Sequence, residues 1–209
     1  MMHDEKKDIF SLVRDINTMW KDIYPCLARH VIDVYGRRDG AVMEVGPFCG
    51  VIHELKRQGI GDSFYIASFP EPMKKYYVEQ VKSQGHTDSI TIIETGPQLL
   101  EIDNNSIDLV IFRGALFFPS LFTIDYRAIE RVLKPAGTAF VGGGFGRYTP
   151  PEVISPIADL SRKLNLLIGK QEMTSDMIVK DLRANNVMER ATITEEGGLW
   201  IIIRKSGEP

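Results

Sequence analysis

The stretch Glu44-Val45-Gly46-Pro47-Phe48-Cys49-Gly50 holds the first residues whose types and spacing could do chemistry. A short apolar run delivers a carboxylate, and glycines follow at positions 46 and 50. Such glycines let the chain turn tightly and let backbone N–H groups approach a ligand. The same pattern also suits an ordinary strand, turn and helix with nothing bound. Three further polar groups follow apolar runs: Ser68, the pair Glu94-Thr95, and Arg113 with Gly114. The last two residues would lie at the carboxyl end of a strand, where open α/β sheets collect ligands. No metal chemistry is expected. Cys26 and Cys49 are not at metal-ligand spacing, and His3, His30, His53 and His86 have no partner at such spacing. Cys49 reads as a small buried filler. His53 lies on the helix after the glycine turn, where a catalytic role competes with an ordinary core or surface role.

The elements that must position these residues can be read from hydrophobic period. Ile9, Leu12, Val13, Ile16, Met19, Trp20 and Ile23 recur at helical spacing within Asp4 to Tyr35. Pro25 interrupts the pattern, which predicts two helices, the second ending at Gly36. Short apolar runs then alternate with helical stretches. Strands are expected at Ala41–Val45, Ser63–Ser68, Ile90–Ile93, Ile107–Phe112 and Thr138–Val141. Helices are expected at Val51–Arg57, Glu71–Gln84 and Ile124–Leu133, the last stopped by Lys134-Pro135. Alternation of this kind predicts a parallel sheet covered on both faces. The last third reads as helices over Glu152–Leu167 and Ser175–Ala184. Two strands, Arg190–Thr194 and Leu199–Arg204, follow around a hairpin turn at Glu195-Glu196-Gly197-Gly198.

In these features the sequence resembles the class I, Rossmann-like S-adenosylmethionine-dependent methyltransferases. Four stretches carry the resemblance: Glu44–Gly50, Tyr65–Glu71, Glu94–Gly96, and Ile102–Leu116 together with Ile129–Gly137. The resemblance implies an α/β fold, a doubly wound and mostly parallel seven-stranded sheet with N-terminal helices and a C-terminal antiparallel hairpin. It implies one domain with three parts: a helical cap over residues 1–36, a cofactor-binding core over 41–145, and substrate-side helices with the terminal hairpin over 150–209. It also implies cofactor-binding roles for Glu44, Gly46, Pro47, Phe48, Gly50, Ser68, Glu94, Thr95, Arg113 and Gly114. Two positions depart from the family pattern. Phe48 stands where a middle glycine is expected, and its ring would either crowd the methionine end of the cofactor or pack in the core. Ala67 stands where an acidic residue would accept hydrogen bonds from the ribose hydroxyls. Ser68, one residue on, offers a single neutral hydroxyl, a weaker acceptor than a carboxylate.

The implied activity is in-line transfer of a methyl group from S-adenosyl-L-methionine to a small molecule, with S-adenosyl-L-homocysteine as product. Such a reaction rests on positioning, so no catalytic residue is assigned. The alternative is a methyltransferase-like protein with lost or altered cofactor binding, serving as a binding or partner subunit. A nucleotide-dependent oxidoreductase is a third and weaker reading, opposed by the terminal hairpin. The 209 residues carry 44% hydrophobic and 25% charged side chains and a formal net charge of -3. No basic stripe points to nucleic acid. The loop Phe112-Arg113-Gly114-Ala115 lacks the Asn/Asp-Pro-Pro-aromatic signature of amine methylases acting on nucleic acid. No apolar run is long enough to span a membrane. Met1 to Lys7 is polar and charged, so no signal peptide is expected, and the few cysteines suit a cytoplasmic setting. A homodimer is one option for the assembly. Trp20 and Phe117 could form an apolar lid over the substrate, against the commoner role of core packing. Arg147 and Tyr148 could likewise face it, against a mobile-loop role.

Overall fold

The structure, a computed structural model, describes residues 8–207. Helix α1 (Ile9–Met19) starts where the Asp8 carboxylate accepts the Phe10 N–H at 2.8 Å, a side-chain cap for an otherwise orphaned donor. Its apolar stripe, Leu12, Val13 and Ile16, is buried. A 3₁₀ turn at Trp20–Asp22 leads into α2 (Tyr24–Tyr35). The break between the helices therefore precedes Pro25. Proline sits in the first turn of α2, where its missing N–H costs nothing. Gly36 closes α2 with φ of 70°. The part of the expected helix before residue 8 lies outside the described residues.

The sheet then builds outward from its centre. Strands β1 (Ala41–Val45), β2 (Ser63–Ser68), β3 (Thr91–Glu94), β4 (Ile107–Arg113) and β5 (Leu133–Gly143) run parallel. Strands β6 (Ala191–Thr194) and β7 (Leu199–Arg204) form a hairpin, and β7 pairs antiparallel with β5. The order across the sheet is β3-β2-β1-β4-β5-β7-β6. Every residue of β1 and β4 is buried, as expected for strands covered on both faces. Helices α3 (Val51–Arg57), α4 (Pro72–Ser83) and α5 (Tyr126–Val132) form the crossovers. The reversal of strand order falls between β1 and β4, which places the switch point at the carboxyl ends of these two strands. The implied doubly wound sheet with its terminal hairpin is the observed one.

Most element ends fall within two residues of the sequence reading, and two elements differ by more. The strand expected at Thr138–Val141 begins five residues earlier, at Leu133, and continues to Gly143. The Lys134–Gly137 segment is an irregularity inside the ladder: Ile107 pairs with Leu133, and Leu109 with Thr138. Ala136 there takes φ of 62° and donates to Lys205 O at 3.2 Å. The helix expected over Glu152–Leu167 is two helices, α6 (Pro151–Ile154) and α7 (Ala158–Ile168). Pro156 lies in the gap, and proline is excluded from a helix interior by its ring and lost donor. Helix α8 (Ser175–Ala184) falls where expected. The chain end is tied back by Lys205, whose ammonium donates to Glu130 O at 2.7 Å, Leu133 O at 2.6 Å and Asn105 Oδ1 at 2.7 Å. Among the described residues no helix is long and apolar enough to cross a membrane, and no three His, Cys, Asp or Glu side chains group as metal ligands.

Candidate functional site

Two structures meet at the carboxyl ends of β1 and β4. The first is the turn from β1 into α3. Glu44 is fully buried and sends its carboxylate forward to the start of α3. Oε2 accepts the N–H groups of Gly50 at 2.8 Å and Ile52 at 3.0 Å, and Oε1 accepts that of Val51 at 3.3 Å. The carboxylate thus caps the positive end of the helix. Burial raises its pKa, while these N–H donors and the Arg113 charge pull the other way. Gly46, at φ of 88°, donates to Ala67 O at 2.9 Å. Its own carbonyl accepts from Tyr77 Oη at 3.2 Å and from the Cys49 thiol at 3.2 Å. The Cys49 N–H donates to Tyr77 Oη at 3.1 Å. Cys49 is buried and its thiol pKa is pushed up by burial, in keeping with a filler.

The remaining carbonyls of the turn are held by distant side chains. Asn17 Nδ2 donates to Pro47 O at 2.8 Å. Arg113 Nε donates to Phe48 O at 2.9 Å. The Arg113 guanidinium also donates through Nη2 to Asn17 Oδ1 at 2.8 Å and to Tyr24 Oη at 2.9 Å. Its carbon lies 4.6 Å from the centre of the Trp20 ring and 5.2 Å from that of Tyr24. Tyr24 packs so closely on Gly50 that any Cβ there would enter its ring. Phe112 and Phe69 stand over Gly46, and Phe122 completes an aromatic cluster with them, with ring centres 5.1–5.8 Å apart. As folded, the turn is sealed: residues 46–49 are buried.

The second structure is a cavity of about 490 Å³ beside this turn. Phe48, Arg113 and Gly114 form the wall it shares with the turn. Trp20 from the N-terminal region, Phe117 from the loop after β4 and Ser161 from α7 enclose it. Phe48 is 1% exposed, with its ring 4.7 Å from that of Phe118. A Cβ on Gly114 would lie 2.5 Å from the Phe48 ring, so glycine is needed for the ring to lie there. Trp20 stacks on Phe145 at 4.9 Å and donates through Nε1 to Ser161 Oγ at 3.2 Å. Trp20 and Phe117 therefore both line the cavity, and Trp20 is buried while it does so. The loop pair beyond β5 has another setting: Arg147 is ion-paired with Asp33 and Glu196, and Tyr148 Oη donates to Asp33 at 2.9 Å.

Ser68, Glu94 and Thr95 come together at the neighbouring strand ends. Ser68 pairs with Glu94 in the β2–β3 ladder, and Thr95 N–H donates to Ser68 O at 3.1 Å. Glu94 is exposed and paired with Lys74 at 2.8 Å. Ser68 is fully buried, and its hydroxyl has no hydrogen-bond partner among the described residues. A buried unpaired hydroxyl is uncommon and costs about 1–3 kcal/mol. His53 is buried on α3, its Nδ1 2.9 Å from that of His86. Burial pushes its pKa down to about 4.

Other solved structures share this architecture, several of them over nearly their whole length. A Methanococcus maripaludis protein, described as a candidate S-adenosyl-L-methionine-dependent methyltransferase, superposes with a TM-score of 0.75 at 21% identity. The match covers 100% of this chain and 99% of that one. The chain has the class I methyltransferase fold. A SAM-dependent methyltransferase from Aquifex aeolicus gives a TM-score of 0.63 at 15% identity, covering 95% of this chain and 98% of its own. The geranyl diphosphate C-methyltransferase of Streptomyces coelicolor A3(2), solved with Mg²⁺, geranyl diphosphate and S-adenosyl-L-homocysteine, gives 0.56 at 11% identity, covering 87% and 79%. No protein-family model matches the sequence, and no curated protein matches it.

Within this methyltransferase fold, the ten residues singled out in the sequence divide in two. Glu44, Gly46, Pro47, Phe48, Gly50, Arg113 and Gly114 gather around the β1 turn. Ser68, Glu94 and Thr95 gather at the ends of β2 and β3. Sequence reasoning missed Asn17 and Tyr24, which hold the turn shut from the N-terminal helices. The one signal was a lone asparagine beside Ile16 in an otherwise apolar stripe.

Proposed function

We propose that this chain is a methyltransferase of small molecules, using S-adenosyl-L-methionine as donor and taking its acceptor in the 490 Å³ cavity. One observation carries the reading: the cavity shares the wall Phe48, Arg113 and Gly114 with the glycine turn, at the switch point of the sheet. Brought together there, a donor held by the turn and an acceptor in the cavity would be adjacent, which is the main requirement of an in-line displacement. A bound donor would supply an electrophilic methyl group. The protein's own part is to hold the acceptor, orient it and keep water out.

The residues fit that donor unevenly. The orphaned Ser68 hydroxyl, at the end of β2, suits a ribose hydroxyl. The methionine end does not fit the turn as folded, because the turn's polar groups are spent on Glu44, Asn17, Tyr77 and Arg113, and Phe48 fills the space over Gly114. Donor binding on this reading displaces Phe48. Calorimetric titration with S-adenosyl-L-homocysteine tests it: binding is expected, and none at millimolar ligand would sink the proposal.

The sealed turn supports a second reading, a methyltransferase-fold protein that binds a small molecule or a partner chain without a methyl donor. A structural relative from Haloferax volcanii, 14% identical with a TM-score of 0.61, was solved in complex with the Trm112 methyltransferase activator. S-adenosylmethionine carried through purification of this protein would exclude the second reading.

A further inference from the structure

Arg113 is 3% exposed, yet among the described residues its hydrogen bonds go only to neutral acceptors: a carbonyl, an amide oxygen and a phenol. Its Nη1 donates to nothing there. No carboxylate among these residues lies within ion-pair distance of it. Glu44 feels its charge, but both Glu44 oxygens are committed to the start of α3. A buried charge without a direct ion-pair partner is costly unless something neutralises it. Arg113 also lines the 490 Å³ cavity, and no Asp or Glu does. The other charged lining groups are Arg162 and Lys170, both cationic and exposed. Lys170 lies 5.0 Å over the Phe117 ring with no acidic partner among the described residues. Apart from these cations the wall is mostly aromatic, aliphatic or glycine, with Ser161 and Asn165 as its polar exceptions.

We infer that the cavity binds a small organic acid: an apolar body lying against Trp20, Phe117 and Phe118, and one carboxylate meeting Arg113. A monoanion matches the single buried guanidinium. A phosphate dianion would need a second buried cation, and Arg162 and Lys170 are at the surface. The inference deepens the proposed function by naming the acceptor class, but the binding step needs no donor.

The test is calorimetric titration of the wild-type protein, without donor, using octanoate and 3-phenylpropionate against their neutral isosteres octanol and 3-phenylpropanol. The acids are expected to bind about tenfold or more tightly than the alcohols, as a charge-assisted contact adds to the same apolar burial. Ala158→Trp, which adds bulk to the cavity lining at a residue that takes no part in the Arg113 hydrogen bonds, should abolish binding of all four while thermal unfolding stays cooperative. Arg113→Lys, which keeps the charge, should retain a preference for the acids. Equal binding of acids and alcohols, no binding of the acids, or acid binding unchanged in Ala158→Trp would each overturn the inference. S-adenosyl-L-homocysteine competing for the same site would assign it to the donor instead and also overturn it. Failure of S-adenosyl-L-homocysteine to bind anywhere, with acid binding intact, would defeat the methyltransferase reading alone.

Discussion

The glycine turn and the cavity share a wall and treat their polar groups in opposite ways. In the turn, the carbonyls of residues 46–48 and the N–H groups at the start of α3 meet protein partners. In the cavity, Arg113 and Lys170 face apolar walls with no ion-pair partner among the described residues, while Arg162 at the surface pairs with Asp159. A surface built to receive a ligand leaves groups unpaired, and a surface built for stability pairs them. By that measure the cavity is prepared for a ligand and the turn is prepared for rigidity. Ser68 is the exception on the turn side, an unpaired hydroxyl behind a closed front.

The largest expected effect comes from the residue on the shared wall. Arg113→Met should destabilise the protein by about 3–5 kcal/mol, because it strips Phe48 O, Asn17 and Tyr24 of their donor at once. Urea unfolding measures this, and a loss below about 1 kcal/mol would mean that the N-terminal helices do not lock the turn. Next is acid sensitivity behind the turn. The unfolded state protonates His53 near its ordinary value of about 6.5, whereas the folded state resists until about 4. Stability is therefore fully present above about pH 6.5 and falls as the pH drops toward 4, by an amount on the order of a few kcal/mol. His53→Asn should flatten that part of the stability–pH curve. Glu44→Gln should cost about 2 kcal/mol, since the charge-assisted cap of α3 becomes a neutral one. The smallest effect is the most discriminating. Ser68→Ala removes an unpaired buried hydroxyl, so the donor-free protein should be unchanged or more stable by about 1 kcal/mol. The same change should weaken S-adenosyl-L-homocysteine binding. A plain loss of stability would show that the hydroxyl has a structural partner and is no vacancy for ribose.

The fold was legible because each strand is a short apolar run closed by turn residues, and the Ile102–Leu116 and Ile129–Gly137 stretches fix the centre of the sheet. The errors were local. Pro156 was passed over because Val153, Ile157, Leu160 and Leu164 keep a helical rhythm across it, and rhythm alone does not register a missing donor. The early start of β5 was hidden by Pro135 and Gly137, which read as a turn and form an irregularity held by Lys205 from the far end of the chain. The candidate site was legible where it is made of consecutive residues, as in Glu44–Gly50. It was illegible where it depends on Asn17 and Tyr24, which reach Arg113 across 96 and 89 positions of sequence. For Phe48 the sequence leaves a choice between crowding the cofactor and packing inward. Its ring is buried and packs on Phe118 and Gly114.

On the proposed function, a methyl donor enters beside a turn that the protein has closed on itself. A crystal structure of the protein soaked with S-adenosyl-L-homocysteine tests it most directly. The account predicts the Phe48 ring swung off Gly114 and a ribose hydroxyl within hydrogen-bond distance of Ser68 Oγ. Clear density for the ligand elsewhere, with Phe48 still seated on Gly114 and Ser68 unpartnered, would contradict it.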